Sequence, residues 1–340
     1  MLPITIIGGG LAGLSLAIGL RRMGAPVTLK EAGGYPRHRV CGEFISGLDA
    51  GTIERLELGP ALSESVSVRR MRWYDANRCL RRDALPSAAR GISRWKLDQA
   101  LADRLVEAGG DLQTGQRASR NRSDPGTVDC AGRQPSKQSD WIGLKCHLDG
   151  FELEEDLEMH MSAQGYVGLS RIENGRVNLC GLFRNAGLRP CGDDFPFVFQ
   201  YLRHCGFRKL LSRLEEAAPV EGSECSVAAL DYGASTAAGH SLRLGDAQGL
   251  IPPFTGNGMT LAFESAALAL EPLRAYAGGE LSWPACGERY RKLARARFGR
   301  RLAVARGTHR WLVSPRLFPL TSFAARTPLF PFQSLFRLTR

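Results

Sequence analysis

Three glycines and one acid near the start of the chain have the types and spacing to hold a dinucleotide. Gly8-Gly9-Gly10-Leu11-Ala12-Gly13 is a G-x-G-x-x-G pattern. In it Gly8 permits a tight turn, Gly10 lets the backbone approach a pyrophosphate, and Gly13 lets a helix lie close on a strand. Leu11 and Ala12 fall at the start of that helix, where unpaired N–H groups and the positive end of the dipole would face the phosphates. Glu31 follows 18 residues after Gly13 and can accept both hydroxyls of a ribose. These residues alone leave NAD and FAD both open.

Other reactive groups are scattered. Cys41 is a candidate catalytic thiol, with a small buried hydrophobe as the alternative. Lys145 and His147 stand two apart on one face of a predicted strand, where either can meet a substrate or cofactor, or form a pair without chemistry. His160, between Met159 and Met161, reads as a solvated strand histidine. No nucleophile elbow joins a serine to a histidine. The nine cysteines contain no C-x-x-C pair, so neither a metal site nor a disulfide framework is expected.

A second glycine-rich segment lies much later. Ser241-Leu242-Arg243-Leu244-Gly245-Asp246-Ala247 is followed by Pro252-Pro253-Phe254-Thr255-Gly256-Asn257-Gly258-Met259 and a helical run over 260–270. Together with 36–46, which contains Arg39 and Cys41-Gly42-Glu43, with Ile92-Ser93-Arg94-Trp95-Lys96-Leu97-Asp98, and with 141–148, this resembles the FAD-dependent oxidoreductases of the p-hydroxybenzoate hydroxylase and geranylgeranyl reductase superfamily. The resemblance runs, with gaps, from residue 4 to about 310.

It implies that Asp246 binds the ribityl chain of FAD, and that Gly256, Asn257, Gly258 and Met259 face the flavin pyrimidine. A helix N-terminus there would stabilise the anion of reduced flavin. It further implies that Arg94 contacts the cofactor and that the segment carrying Arg39 and Cys41 passes the flavin. The implied activity is that of an oxidoreductase on an apolar small molecule. The first form is a monooxygenase of secondary metabolism, hydroxylating an aromatic or polyketide-like substrate through a flavin hydroperoxide. The alternative is a reductase of prenyl or lipid carbon–carbon double bonds. A flavin-binding partner without turnover is the reading from another class. No second G-x-G-x-x-G occurs, so NAD(P)H would serve only as a transient reductant. Ala131-Gly132 stands where hydroxylase relatives carry Asp-Gly.

These residues need elements to position them. Ile4-Thr5-Ile6-Ile7 is a predicted strand, 14–23 continues a helix, and Val27-Thr28-Leu29-Lys30 is a second strand ending in Glu31. From 141 to 183 the period changes to two: Leu157, Met159 and Met161 alternate with Glu158, His160 and Ser162, and Asn174-Gly175 joins 166–172 to 176–183 as a hairpin. The expected fold is α/β: a Rossmann-like FAD-binding parallel sheet of the glutathione-reductase type, an inserted antiparallel substrate sheet, and C-terminal helices. The expected domains are a discontinuous FAD-binding unit over 1–140 and 225–275, a substrate unit over 141–224, and a basic helical region over 276–340.

Composition supports a globular chain: of 340 residues, 44% are hydrophobic and 23% charged, which excludes disorder and collagenous repeats. The net charge of +11 is local, because 274–340 holds 14 Lys and Arg against Glu280 and Glu288. Within it Tyr290, Leu293, Ala294, Phe298 and Leu302 share a helical face among arginines. Trp311 and five Phe (318, 323, 330, 332, 336) are interleaved with prolines, which predicts short segments. This tail either caps the core or faces a lipid surface or an acidic acyl carrier. Nucleic acid is not an expected partner, since no binding motif accompanies the charge. The start lacks a basic and apolar leader, and no run of about 18 apolar residues occurs, so a cytoplasmic, at most membrane-peripheral, protein is expected.

Overall fold

The computed structural model describes residues 1–119, 124–133, 140–190, 196–228, 242–249, 254, 256–312, 314–327, 330 and 332–338. The chain begins with β1 (Ile4–Ile7), α1 (Leu11–Arg22), β2 (Val27–Lys30), β3 (Phe44–Ile45) and α2 (Ala50–Arg55). It continues with β4 (Val66–Asp75), β5 (Arg78–Gly91), α3 (Arg94–Glu107), β6 (Asp111–Gln113) and β7 (Thr127–Asp129). The middle runs β8 (Trp141–Asp149), β9 (Leu157–Ser162), β10 (Gly165–Arg171), β11 (Val177–Arg184), α4 (Phe197–His204) and α5 (Arg208–Leu214). Then come β12 (Ala218–Pro219), β13 (Cys225–Ala228), β14 (Leu242–Arg243), α6 (Gly258–Ala277), α7 (Trp283–Leu312), α8 (Phe318–Ala325) and α9 (Phe332–Leu338).

Two sheets result. The first is parallel, in the order β14-β7-β1-β2-β6, so the chain leaves it after β7 and returns at β14. The second has the order β12-β8-β11-β10-β9-β4-β5-β3, with β13 also paired to β8. It is antiparallel except where β4 runs parallel to β9. This is the expected α/β architecture with an antiparallel sheet and C-terminal helices. The second sheet also draws β3, β4 and β5 from before residue 141.

The turn from β1 to α1 shows why glycine is needed there. Gly8 has φ +101°, and a Cβ on it would lie 2.4 Å from the Ala131 Cα. A Cβ on Gly13 would lie 2.0 Å from the Gly8 carbonyl oxygen, so α1 can sit on β1 only if that atom is missing. Leu14, Leu16 and Leu20 of α1 are then fully buried, in one core with Leu101 of α3, Phe263 of α6 and Phe298 of α7. The basic helix α7 is therefore part of this core, held through Tyr290, Ala294 and Phe298, while Arg297 and Arg301 pair with Glu264 of α6.

The hairpin forms where the sequence places it, with Asn174 at φ 60° between β10 and β11. The expected solvated face of β9 does not exist: Glu158 and His160 are buried. The reason is tertiary, because α5 lies over that face and Arg213 donates to both Glu158 oxygens, at 2.7 and 2.9 Å. His160 in turn bonds Glu158 at 3.0 Å and stacks on Tyr74 with ring centroids 4.3 Å apart. Among the described residues no helix is long and apolar enough to cross a membrane.

Candidate functional site

Glu31 sits at the end of β2, buried against the glycine turn. Its carboxylate accepts from the N–H of Gly9 at 2.7 Å and of Gly33 at 2.9 Å, with Arg37 at 2.6 Å and Arg39 at 3.6 Å. Burial pushes this carboxyl up, but the Gly33 N–H and Arg37 outweigh that and hold it below the ordinary range. Gly10 is different from its neighbours: a Cβ there would meet only an Arg94 nitrogen at 4.0 Å, so its backbone faces open space.

Across from this turn, Asp246 lies in the helical turn after β14. Its half-buried carboxyl is raised by burial, against the pull of Arg94 and Arg133, and has no hydrogen-bond partner among the described residues. Helix α6 begins just beyond. The side chain of its N-cap, Asn257, does not cap the first turn and instead accepts from Ser46 Oγ at 3.1 Å. The segments meet in one cavity of about 660 Å3, whose wall includes Gly8, Gly10, Glu31, Arg94, Asp246 and Met259. A carboxyl with no hydrogen-bond partner among the described residues, an uncapped helix start and a side-chain-free turn around one cavity fit a bound dinucleotide with a polyol arm. These residues thus suit FAD.

Of the residues expected to bind the cofactor, Leu11, Ala12, Arg39, Gly256 and Gly258 also line this cavity. Gly13 and Asn257 do not: Gly13 lies under Gly8, and the Asn257 side chain is turned to Ser46. Arg94 is held by Asp98 in a two-pronged pair at 2.6 and 2.7 Å, so it presents a fixed charge. Pro252, Pro253 and Thr255 of the expected flavin loop lie outside the described residues.

Two of the three expected catalytic residues, Lys145 and His147, converge on a further residue that the sequence reading gave no role. Glu43, at the start of β3, accepts from Lys145 Nζ at 2.8 Å and pairs with His147 Nε2 at 2.6 Å. The Arg94 backbone N–H donates to the same carboxylate at 2.9 Å. All three side chains are buried, and only Glu43 lines the cavity. Burial alone would raise the Glu43 carboxyl, but His147 and Lys145 hold it low and ionised. Lys145 Nζ also lies 3.2 Å from Nδ1 of His38, which stacks on the exposed Trp95. Burial, then Lys145 and His147, pushes His38 down to about 4. Neutral His38 therefore accepts from the lysine. Glu43 has φ 52°, a left-handed conformation that a non-glycine residue holds only under tertiary constraint. Cys41 lines the cavity too, but burial raises its thiol, which disfavours the thiolate form.

The rest of the cavity wall is apolar. Trp73 of β4 meets Phe254 edge to face at 5.5 Å and Phe332 of α9 at 5.7 Å, and Tyr166 of β10 meets Phe254 at 5.8 Å. Trp311 and Phe336 complete this aromatic box. The tail phenylalanines thus divide: Phe330, Phe332 and Phe336 close the cavity, whereas Phe323 is 67% exposed.

No family model matches the chain. Menaquinone reductase of Mycobacterium tuberculosis is 22% identical over 368 residues, covering 94% of this chain and 86% of that protein. A geranylgeranyl bacteriochlorophyll reductase-like protein of Thermoplasma acidophilum superposes with a TM-score of 0.75 at 17% identity, covering 99% of this chain and 95% of the other. A flavin-dependent brominase gives 0.74 at 18% identity, covering 99% and 92%. PqsL of Pseudomonas aeruginosa, described as a probable FAD-dependent monooxygenase, gives 0.67 at 16% identity, covering 95% and 99%. The chain shares the fold of these solved structures over 95–99% of its length.

Proposed function

We propose that this protein is an FAD-dependent oxidoreductase acting on an apolar small molecule, and that its reaction is the reduction of a carbon–carbon double bond in a prenyl-like or other lipid chain. The observation that carries this reading is the single cavity in which residues suited to FAD adjoin an aromatic box and the buried carboxylate of Glu43. The menaquinone reductase likeness over nearly the whole chain supports it. When bound, FAD would supply the two-electron chemistry, with NAD(P)H as the transient source of electrons. The protein supplies placement, charge and protons.

Glu31 would hold the ribose hydroxyls and Asp246 the ribityl hydroxyls. The uncapped start of α6, with Gly256, Gly258 and Met259, would carry the charge of the reduced ring. The aromatic box holds the apolar chain and excludes water. Reduction of a double bond also consumes a proton. Glu43 fixes the proton-bearing Nζ of Lys145 next to the cavity wall, and Nδ1 of His38 connects that nitrogen toward the surface at Trp95. Lys145 lies behind the wall and would pass a proton to the cavity only through Glu43, and His147 is a positioning residue.

A second reading, hydroxylation of an aromatic or polyketide-like substrate, is supported by the likeness to PqsL and by the same aromatic box. One experiment separates them. Protein reconstituted with FAD is reduced without oxygen and mixed with a polyprenyl quinone or an aromatic acceptor, and the product is weighed by mass spectrometry. Gain of two hydrogens under anaerobic conditions that persists after the quinone ring is reoxidised supports the reductase. Gain of one oxygen only after O2 is admitted supports the hydroxylase. If neither NAD(P)H nor a chemical donor reduces the bound flavin, both enzyme readings fail.

A further inference from the structure

A short helix that is apolar on nearly all sides belongs in a core or against lipid, because water leaves its exposed side unsatisfied. Helix α8 has the sequence Phe318-Pro319-Leu320-Thr321-Ser322-Phe323-Ala324-Ala325. It is nevertheless at the surface. Thr321 and Ala325 point inward, and Leu317, Leu320 and Phe323 point out, with 38, 58 and 67% of their areas exposed. These three follow one another at helical spacing of three, so they form one stripe.

The surroundings are cationic. Arg316 and Arg326 are exposed at the two ends of the helix, and no acidic residue occurs between 289 and 340. The carboxylate of Asp75 reaches this helix and is bonded by Arg326 at 2.9 Å and by Ser322 Oγ at 3.0 Å. The segments that flank α8 also form the wall of the substrate cavity: Trp311 and Leu312 precede it, and Phe330, Phe332 and Phe336 follow. An apolar outer stripe, a flanking segment with arginines and no acidic residue of its own, and direct continuity with an apolar cavity share one explanation.

We infer that α8 is a docking surface for an anionic lipid bilayer, with Leu317, Leu320 and Phe323 entering the interface and the arginines meeting headgroups. Docking there sets the aromatic wall of the cavity beside the bilayer, so an apolar substrate can pass from lipid to cavity without crossing water. This purpose rests on the proposed apolar substrate, but the docking itself does not depend on which reaction follows.

The test is co-sedimentation of the full chain, loaded with FAD, with vesicles of phosphatidylcholine alone or mixed with phosphatidylglycerol. The wild type is expected to pellet with the mixed vesicles and less with the neutral ones. The double variant Leu320→Ser/Phe323→Ser should lose about tenfold or more of that partitioning. Its flavin content and melting temperature should stay those of the wild type, since both side chains are exposed. Val106→Ser, an equally exposed change on α3, should bind as the wild type does. Wild-type protein that stays in the supernatant with anionic vesicles overturns the inference, as does a double variant that pellets unchanged. Binding of an acidic acyl carrier protein in place of vesicles, lost in the double variant, overturns the lipid assignment and gives the stripe to a carrier. Turnover of detergent-dispersed substrate is read separately, so failure to dock and failure to react are told apart.

Discussion

Lys145 Nζ and Glu43 Oε1 lie 2.8 Å apart with neither side chain exposed to solvent, in a protein whose other well-paired charges are mostly at least partly wet. A buried pair of this kind contributes little when intact, yet removing one member leaves an uncompensated charge. Glu43→Gln should therefore destabilise the fold by about 3–5 kcal/mol, and Glu43→Gln/Lys145→Met should recover most of that loss. Denaturant unfolding of the three proteins checks it. A Glu43→Gln protein as stable as the wild type would show that Lys145 is not charged in the fold.

The acid side of the stability curve follows from His38 and His309. Both are pushed from the ordinary 6.5 down to about 4, in each case chiefly by burial. Between those values the unfolded chain binds protons that the folded chain refuses. Stability is thus expected to fall as pH drops from 6.5 toward about 4. Below that, the depressed carboxyls of Glu31 and Glu43 add to the loss, because their stabilisation disappears as they are protonated. Melting temperature measured against pH should show the slope, and His38→Gln should make it shallower.

The carboxyl of Asp246, which has no hydrogen-bond partner among the described residues, should matter to the cofactor and not to the fold. Asp246→Ala is expected to weaken FAD binding by about 10–100-fold, the cost of one hydrogen bond to a charged group. Flavin absorbance per protein after purification measures it, and a mutant that stays fully yellow overturns the assignment. The melting temperature without FAD should not fall, since burial already penalises this charge.

How much of this was visible in the sequence depends on how local each feature is. The turn from Gly8 to Gly13 and the acid at Glu31 are set by one strand-helix-strand unit, and the structure builds them as read. The spacing of Lys145 and His147 correctly puts them on one face. Their partner Glu43 is 102 and 104 residues away in the chain, so no local pattern pointed to it. The sign that was there is indirect: two basic groups on one face of a strand require a buried acid if that face is covered. His160 was misplaced for the same reason, since only the packing of α5 and Tyr74 covers its face. In the tail, apolar residues occur without a period, so the sequence could not separate Phe332, inside, from Phe323, outside.

The two glycines of the turn allow the protein and ligand roles to be separated. A methyl group on Gly13 would run into the backbone oxygen of Gly8 at 2.0 Å, and neither partner can give way without parting α1 from β1. Gly13→Ala should therefore fail to fold, or melt far below the wild type, with or without FAD. A methyl group on Gly10 meets no protein atom closer than 4.0 Å, and its backbone, at φ −88° and ψ −173°, suits alanine. By restricting the unfolded chain, Gly10→Ala should leave the apoprotein as stable as before or raise it by about 0.4–1 kcal/mol. The same methyl would occupy the space where a pyrophosphate must approach the backbone, so FAD affinity should fall while stability does not. Paired measurements of apoprotein melting and flavin titration decide the point. Unchanged FAD affinity in Gly10→Ala would mean that the phosphates do not lie against this turn.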